Sequence, residues 1–348
     1  MRKLVTVRRV DKLTPIPGAD AIECATIEGW QVVVKKAEFQ PGDFCVYFEI
    51  DAFLPLDDPR YQFLVQNRIV WEGREGVRLR TLKLRGQLSQ GLILPLLAFP
   101  EISAELNKLA PTDWREHDFS ALLGIEKWEA PIPAEMAGEV EGPFPAYLRK
   151  TDQERVQNLP GVLYEQADLP FEVTVKLDGA SMTVFRHGDE QGVCGRNWWL
   201  KETRSNTLWR VARQDRLLEA LAVLDRNLAL QGELIGEGIQ GNPEKLRGQQ
   251  FRLYDVFDID RGLYLGHEQR LRLVDQLNAA GATLSHVPVL EITTLARFNG
   301  EMAAVLDYAE GPSLNPATRR EGVVFKRLDG DFSFKAIANS YLLKHGDR

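Results

Sequence analysis

Lys176-Leu177-Asp178-Gly179 sets a primary amine where a strand gives way to a turn. The residues before it, Phe171-Glu172-Val173-Thr174-Val175, are mostly aromatic or β-branched and predict a strand. Asp178-Gly179 then breaks that strand. An ammonium is costly to bury alone, so a lysine inside a strand beside such a break is either ion-paired or reactive. The chemistry open to it is nucleophilic attack through its amine. A free lysine titrates near about pH 10.4, so attack at neutral pH needs desolvation or neighbouring cations that favour the neutral amine. A K-x-D-G pattern alone is a weak signal.

Five segments downstream carry further chemistry, in a fixed order. Gly195-Arg196-Asn197 follows a strand expected over 192–194, and Gly232-Glu233-Leu234-Ile235-Gly236-Glu237-Gly238 closes another strand with glycines that let a ligand approach closely. Leu253-Tyr254-Asp255-Val256-Phe257-Asp258-Ile259 is an aromatic strand with two acids. Arg320-Glu321-Gly322-Val323-Val324-Phe325-Lys326 and Phe332-Ser333-Phe334-Lys335 are strands with charges at their ends. Separately, the alternation over 77–85 puts Arg78 and Arg80 on one strand face, and Lys83 and Arg85 continue it after a shift of phase. That face is either an ordinary solvated one or a phosphate-contacting stripe. A P-loop and a dinucleotide fingerprint are both absent, and His117, His187, His267, His286 and His345 lack zinc-type spacing.

The elements that must position these residues point to two domains in 348 residues, with the 44% apolar and 27% charged fractions of a soluble globular protein. A net charge of −7 argues against indiscriminate coating of polyanions. Cys24, Cys45 and Cys194 are too scattered for a metal pair and read as buried thiols. Without an apolar N-terminal core or a run long enough to span a bilayer, a cytoplasmic location is expected. Up to about residue 100 short strands are predicted at 4–10, 22–27, 30–35, 44–50, 77–84 and 91–94, which suggests a small barrel of the OB type. A proline-punctuated connector follows over 101–150. Strands at 171–177, 181–186, 228–235, 251–259, 322–327 and 332–336, with helices at 214–225, 268–279 and 295–309, make the rest α+β.

The six ordered segments from Lys176 to Lys335 resemble the covalent nucleotidyltransferases, the superfamily of polynucleotide ligases and capping enzymes. Lys-Leu-Asp-Gly-Ala-Ser, Gly-Arg-Asn and the closing Phe-Lys followed by Asn339-Ser340-Tyr341-Leu342-Leu343-Lys344 resemble the RNA ligase branch. Ile16-Pro17-Gly18-Ala19-Asp20, Gly29-Trp30, Val34-Lys35-Lys36 and the stretch from Arg80 to Gly91 resemble template-directed, nick-sealing RNA ligases that carry an OB domain first. The resemblance implies an OB-like nucleic-acid-binding domain over 1–100, a connector over 101–150, and an ATP-grasp-like nucleotidyltransferase domain over 151–348.

It also implies roles. Lys176 would attack the ATP α-phosphate and hold AMP, which passes to a 5′-phosphate and is displaced by a 3′-hydroxyl. Asp178, Gly179, Ser181, Arg196, Glu233, Phe257, Lys326 and Lys335 would bind the nucleotide, with Glu233 at the ribose and Phe257, or else Tyr254, on the base. Lys326 and Lys335 would supply positive charge. Glu321 and Glu233 would stand near Mg²⁺ or Mn²⁺, and Arg78, Arg80, Lys83 and Arg85 would contact nucleic acid. Ser181 stands where relatives often carry Asn, and Ser333 where a first lysine of the last motif is usual. The implied substrate is a nicked duplex with RNA on the 3′-hydroxyl side, sealed by a monomer. DNA ligases and GTP-using capping enzymes place an OB domain after the last motif, whereas only a dozen or so residues follow Lys335. A non-catalytic binding module would lack the reactive residues that are present here.

Overall fold

A computed structural model of the protein describes residues 3–129, 138–159 and 161–346. The chain divides into two compact units, residues 1–131 with 339–348, and residues 132–338.

The first unit is built of short antiparallel strands. Phe44–Phe48 lies between Val5–Arg9 and Leu92–Pro95, and Lys12–Pro15, Ile22–Ile27 and Trp30–Lys35 form a meander. A four-stranded sheet runs Glu126–Lys127, Ala52–Pro55, Arg74–Arg78, Ile69–Trp71. The strand expected over 77–84 is in fact two. Leu79 is buried and exchanges backbone hydrogen bonds with Ala52 and Asp51, which turns the chain out of the four-stranded sheet. Thr81–Leu84 instead pairs with Gln87–Gln90 across Arg85-Gly86, both at positive φ, the geometry of a two-residue hairpin turn. The periodicity marks this break only by its shift of phase after Arg80, which leaves the alternation on either side intact. Residues 101–129, read from the sequence as connector, are part of this unit: Ile102, Leu106, Phe119, Leu123 and Ile125 bury themselves with Val5, Val46, Phe48 and Leu54.

The second unit holds two sheets, each covered on one face. In the five-stranded sheet Pro170–Lys176 lies between Gly322–Arg327 and Val289–Thr294, with Ser333–Ile337 and Glu154–Arg155 beyond. Phe171 and Val173 point into a core with Phe325, Phe334 and the helix Met302–Ala309. Glu172, Thr174 and Lys176 alternate with them and take the other face. In the larger sheet Ala180–His187 pairs with Leu228–Gly236, which pairs with Gln249–Asp258. Met182, Val184, Leu230, Leu234 and Leu253 pack on the helices Thr207–Gln214, Leu217–Leu224 and His267–Ala279. Each such side chain stabilises the fold by about 1.5–3 kcal/mol when fully buried. Ser181, Gln231 and Glu233 alternate onto the opposite face.

Leu177, Asp178 and Gly179 are the crossing between the two sheets, so the lysine ends one sheet as Ala180 opens the other. The helix expected over 214–225 is interrupted at Arg216, which is left-handed with φ +53°. That expected over 295–309 is a 3₁₀ turn, Leu295–Phe298, then Met302–Ala309, parted by Asn299 at φ +51° and Gly300 at φ +73°. Apolar spacing runs through both interruptions and hides them.

Candidate active site

Lys176 pairs in register with Gly322, which brings the preceding residue, Glu321, beside it. Lys176 Nζ donates to Glu321 Oε2 at 2.6 Å. The position is tightly set, because a Cβ on Gly322 would stand 2.1 Å from the Ala336 carbonyl oxygen. The Glu321 carbonyl in turn accepts the Ala338 amide at 2.9 Å. Across the crossing, a Cβ on Gly179 would stand 2.4 Å from the Leu234 carbonyl oxygen and 2.8 Å from Glu233 Cγ. Only glycine lets the turn lie this close to the Glu233 strand.

The charges around the amine oppose each other. Burial pulls the Lys176 pKa down, but the Glu321 and Glu233 carboxylates and the Glu321 hydrogen bond outweigh it, and the amine is held above its ordinary value. Burial pushes Glu233 up to about 8; Lys176 resists this, while the Glu321 and Asp178 carboxylates add to it. Lys335, paired in register with Val324 and with Arg155, is pulled down to about 8 by burial and by the positive charges of Lys176 and Arg155. Arg196 is exposed and pairs with Asp152 at 3.0 Å. Lys176, Asp178, Gly179, Glu233, Glu321 and Lys335 thus converge, with Arg196 within electrostatic reach of both Lys176 and Glu233. Arg155 and Asp152 join them from the polar run 151–158, which the sequence did not single out. Its only signal is the run of charged and amide residues just before the lysine strand, and no periodicity marks it.

Lys326 and Phe257 are placed differently. Lys326 is 4% exposed. Its Nζ lies 2.6 Å from Asp255 Oδ2 and donates to the Tyr254 carbonyl at 2.7 Å. It pairs in register with Glu172, two alternate positions up the strand from Lys176, and burial lowers its pKa against the pull of Asp255. Glu172 accepts from Arg270 and contacts His267, and Arg270 Nε donates to His286 Nε2 at 3.0 Å. Lys326 therefore braces one sheet against the other within a buried ionic network. Phe257 packs in an apolar cluster with Leu148, Phe185, Cys194 and Ala229, and the Arg149 guanidinium lies 5.7 Å from its ring centre. Tyr254 stands nearer the site, hydrogen-bonded to the Ser181 and Thr151 side chains, with burial raising its phenol pKa.

In the first unit, Arg78 is engaged by Asp51 at 2.6 Å and lies 3.9 Å over the Trp128 ring. Arg80, Lys83 and Arg85 are exposed, the last two on the hairpin of Thr81–Leu84 and Gln87–Gln90. They form no single strand face with Arg78, since the chain turns at Leu79. Among the described residues no group of three or more His, Cys, Asp or Glu side chains is arranged to hold a metal ion by itself. Glu233 and Glu321 could offer two carboxylates, leaving further oxygens to come from a bound phosphate or water. Nor is any helix among the described residues long and apolar enough to cross a membrane.

A family model described as an OB-fold domain matches residues 4–96, and one described as RNA ligase matches residues 169–337. A comparison with curated proteins gave no match. Among solved structures, a Naegleria gruberi RNA ligase mutant in the apo form is 53% identical with a TM-score of 0.85, covering 99% of this chain and 98% of that one. The same ligase with PPi is 53% identical with a TM-score of 0.83, covering 99% of both chains. A further mutant of it with ATP and Mn matches at 53% identity and a TM-score of 0.83, again over 99% of both chains. A lysine set among carboxylates and cations where two sheets meet, in a chain alike over its whole length to such an enzyme, leads to one conclusion: the chain belongs to the RNA ligase family.

Proposed function

We propose that the protein joins 3′-hydroxyl and 5′-phosphate ends at nicks in duplexes with RNA on the 3′-hydroxyl side, using ATP through a lysyl-AMP intermediate. The observation that carries this is Lys176 Nζ at 2.6 Å from Glu321, with Glu233 and Lys335 both within electrostatic reach of the amine. The Naegleria complex with ATP and Mn supports the choice of nucleotide and of a divalent cation, here Mg²⁺ or Mn²⁺. When bound, such a cation neutralises phosphate charge and competes for the two carboxylates.

In the first step the Lys176 ammonium releases a proton to solvent, and its nitrogen bonds to the α-phosphorus as the bond from that phosphorus to the bridging oxygen breaks. Pyrophosphate leaves, and a second proton from the nitrogen passes to solvent to give lysyl-AMP. Glu321 holds the amine in place but also protonated, so the attack requires that carboxylate to be neutralised or drawn off. Lys335 and Arg155, paired in register beside Lys176, supply positive charge against the transferring group. Glu233 takes a ribose hydroxyl, and Tyr254, hydrogen-bonded to Ser181, takes the base in place of Phe257, which packs in an apolar cluster. In the second step AMP moves to a 5′-phosphate oxygen and Lys176 regains its free amine. In the third, a 3′-hydroxyl attacks that phosphate and AMP departs.

Incubation with ATP labelled at the α-phosphate should leave label on the protein that pyrophosphate removes, and Lys176→Ala should abolish it. Label retained by Lys176→Ala would overturn the assignment. Label taken from GTP in preference to ATP, or equal sealing of all-DNA nicks, would favour the capping or DNA ligase alternatives.

A further inference from the structure

The loop 237–248 leaves the Glu233 strand and crosses to two other parts of the same site. Gln240 Nε2 donates to the Gly179 carbonyl at 3.4 Å, touching the turn after the lysine. Glu244, buried to 5% exposure, accepts from the Ser313 hydroxyl through Oε1 and from the Asn315 amide through Oε2, the latter at 2.6 Å. Beside it, the Thr318 hydroxyl donates to the Pro243 carbonyl at 2.6 Å. Asn242 stiffens the loop from within, its side chain exchanging two hydrogen bonds with the backbone of Leu246 at 2.9 and 3.0 Å.

The segment so gripped leads directly into Glu321. It is closed on itself by the Pro312 to Arg319 bridge and by Ser313 N donating to the Thr318 carbonyl at 2.7 Å. Its root is held by Arg320, whose guanidinium donates to the carbonyls of Tyr308, Ala309 and Glu310 at 2.7, 3.0 and 2.8 Å. Glu321 is the next residue. A carboxylate taking a hydroxyl and a backbone amide out of water makes stronger, shorter bonds than neutral acceptors do. Glu244 is well suited to fix a loop that has no strand partner of its own.

We propose that Glu244 is a positioning residue that sets Glu321 against Lys176, so that one loop ties the Glu233 strand, the Asp178-Gly179 turn and the approach to Glu321 into one bracket. This rests on the ligase reading only for its effect on catalysis; the positioning itself is testable without ATP or metal. The test is the rate at which an amine-acylating reagent modifies Lys176 in the full-length protein at fixed pH, read by peptide mass spectrometry. Glu321 holds the Lys176 amine in a 2.6 Å hydrogen bond, so loosening it frees the amine to meet the reagent; losing about 0.7 kcal/mol of that restraint gives about threefold faster acylation.

Glu244→Ala should speed acylation of Lys176 by about threefold or more in the wild-type background and by less than about 1.5-fold in Glu321→Gln, where the charge-assisted bond to the amine is already gone. Should Glu244→Ala fail to fold, Thr318→Val removes a single hydroxyl from the same grip and should show the same dependence on Glu321 at smaller amplitude. Unchanged acylation in the folded variant, or an equal rise in both backgrounds, would overturn the proposal. Acylation that follows expectation in a protein that takes no label from ATP would overturn the ligase reading and leave the bracket standing.

Discussion

The Glu321 carboxylate, hydrogen-bonded to the Lys176 amine, favours its charged form in the free protein. Lys335 nearby is pulled down to about 8 by burial and by the charges of Lys176 and Arg155. With Lys335 against the phosphates, its charge is nearly complete at pH 7, half lost at about pH 8 and nearly gone at pH 9, so the apparent affinity for ATP should weaken as pH rises from 7 to 9. Lys335→Arg should flatten that dependence, because a guanidinium does not titrate there; a titration of self-adenylation against ATP at each pH reads it. The sequence marked these residues by their surroundings: Lys176 ends its strand just before the Asp178-Gly179 turn, Glu233 lies between glycines, Glu321 stands just ahead of Gly322, and Lys335 ends the last motif. It left Arg155 unseen, since a buried arginine in a polar run looks like a surface one until the parallel pairing with Lys335 is known. Lys326 and Phe257 illustrate the converse. Motif order marks both, but only packing reveals that Asp255 holds one and an apolar cluster the other.

At the scale of elements, the site exists because a three-residue crossing hands the chain from one sheet to the other. Gly179→Ala would drive a Cβ into the Leu234 carbonyl at 2.4 Å. Self-adenylation should fall by more than about tenfold, with a loss of about 1–3 kcal/mol in stability measured by chemical denaturation. Behind the site, Glu172, Arg270 and His286 link the lysine strand to the helix His267–Ala279. Removing the charge with Glu172→Gln should cost about 3–5 kcal/mol, since Arg270 is then buried unpaired. The network also sets a pH window. Burial and Arg270 hold His286 down to about 4, against 6.5 when unfolded, so the unfolded chain takes up a proton first and stability falls as pH drops from about 6.5 toward 4. Glu172, opposed by burial but held below its ordinary value by Arg270 and His267, adds a loss in the same direction at the acid end. Denaturation midpoints at pH 7.5 and pH 5 would reveal the slope, and a flat profile would deny it. The central strands were legible from β-branched runs. The breaks at Arg216 and Asn299 were not, because apolar spacing continues across both, and the one at Leu79 showed only as a shift of phase.

For the whole molecule, a net charge of −7 leaves nucleic-acid contact to local cations. Arg80, Lys83 and Arg85 are exposed, whereas Arg78 is already held by Asp51. Replacing the three exposed residues by Ala should weaken sealing and lower the salt dependence of substrate binding by about two to three units of slope, while self-adenylation stays unchanged. Undiminished sealing would remove the hairpin from the substrate path. Domain organisation was only partly legible, because prolines made 101–129 resemble a connector although its apolar residues complete the first core. The helix Asn339–His345 adds a temporal consequence. It packs on the hairpin strands Thr81–Leu84 and Gln87–Gln90, with Tyr341 and Leu342 buried, directly after the strand that carries Lys335. On a ribosome the unit begun first would then be finished last, so its hairpin waits uncovered until the entire nucleotidyl-transfer unit has been synthesised.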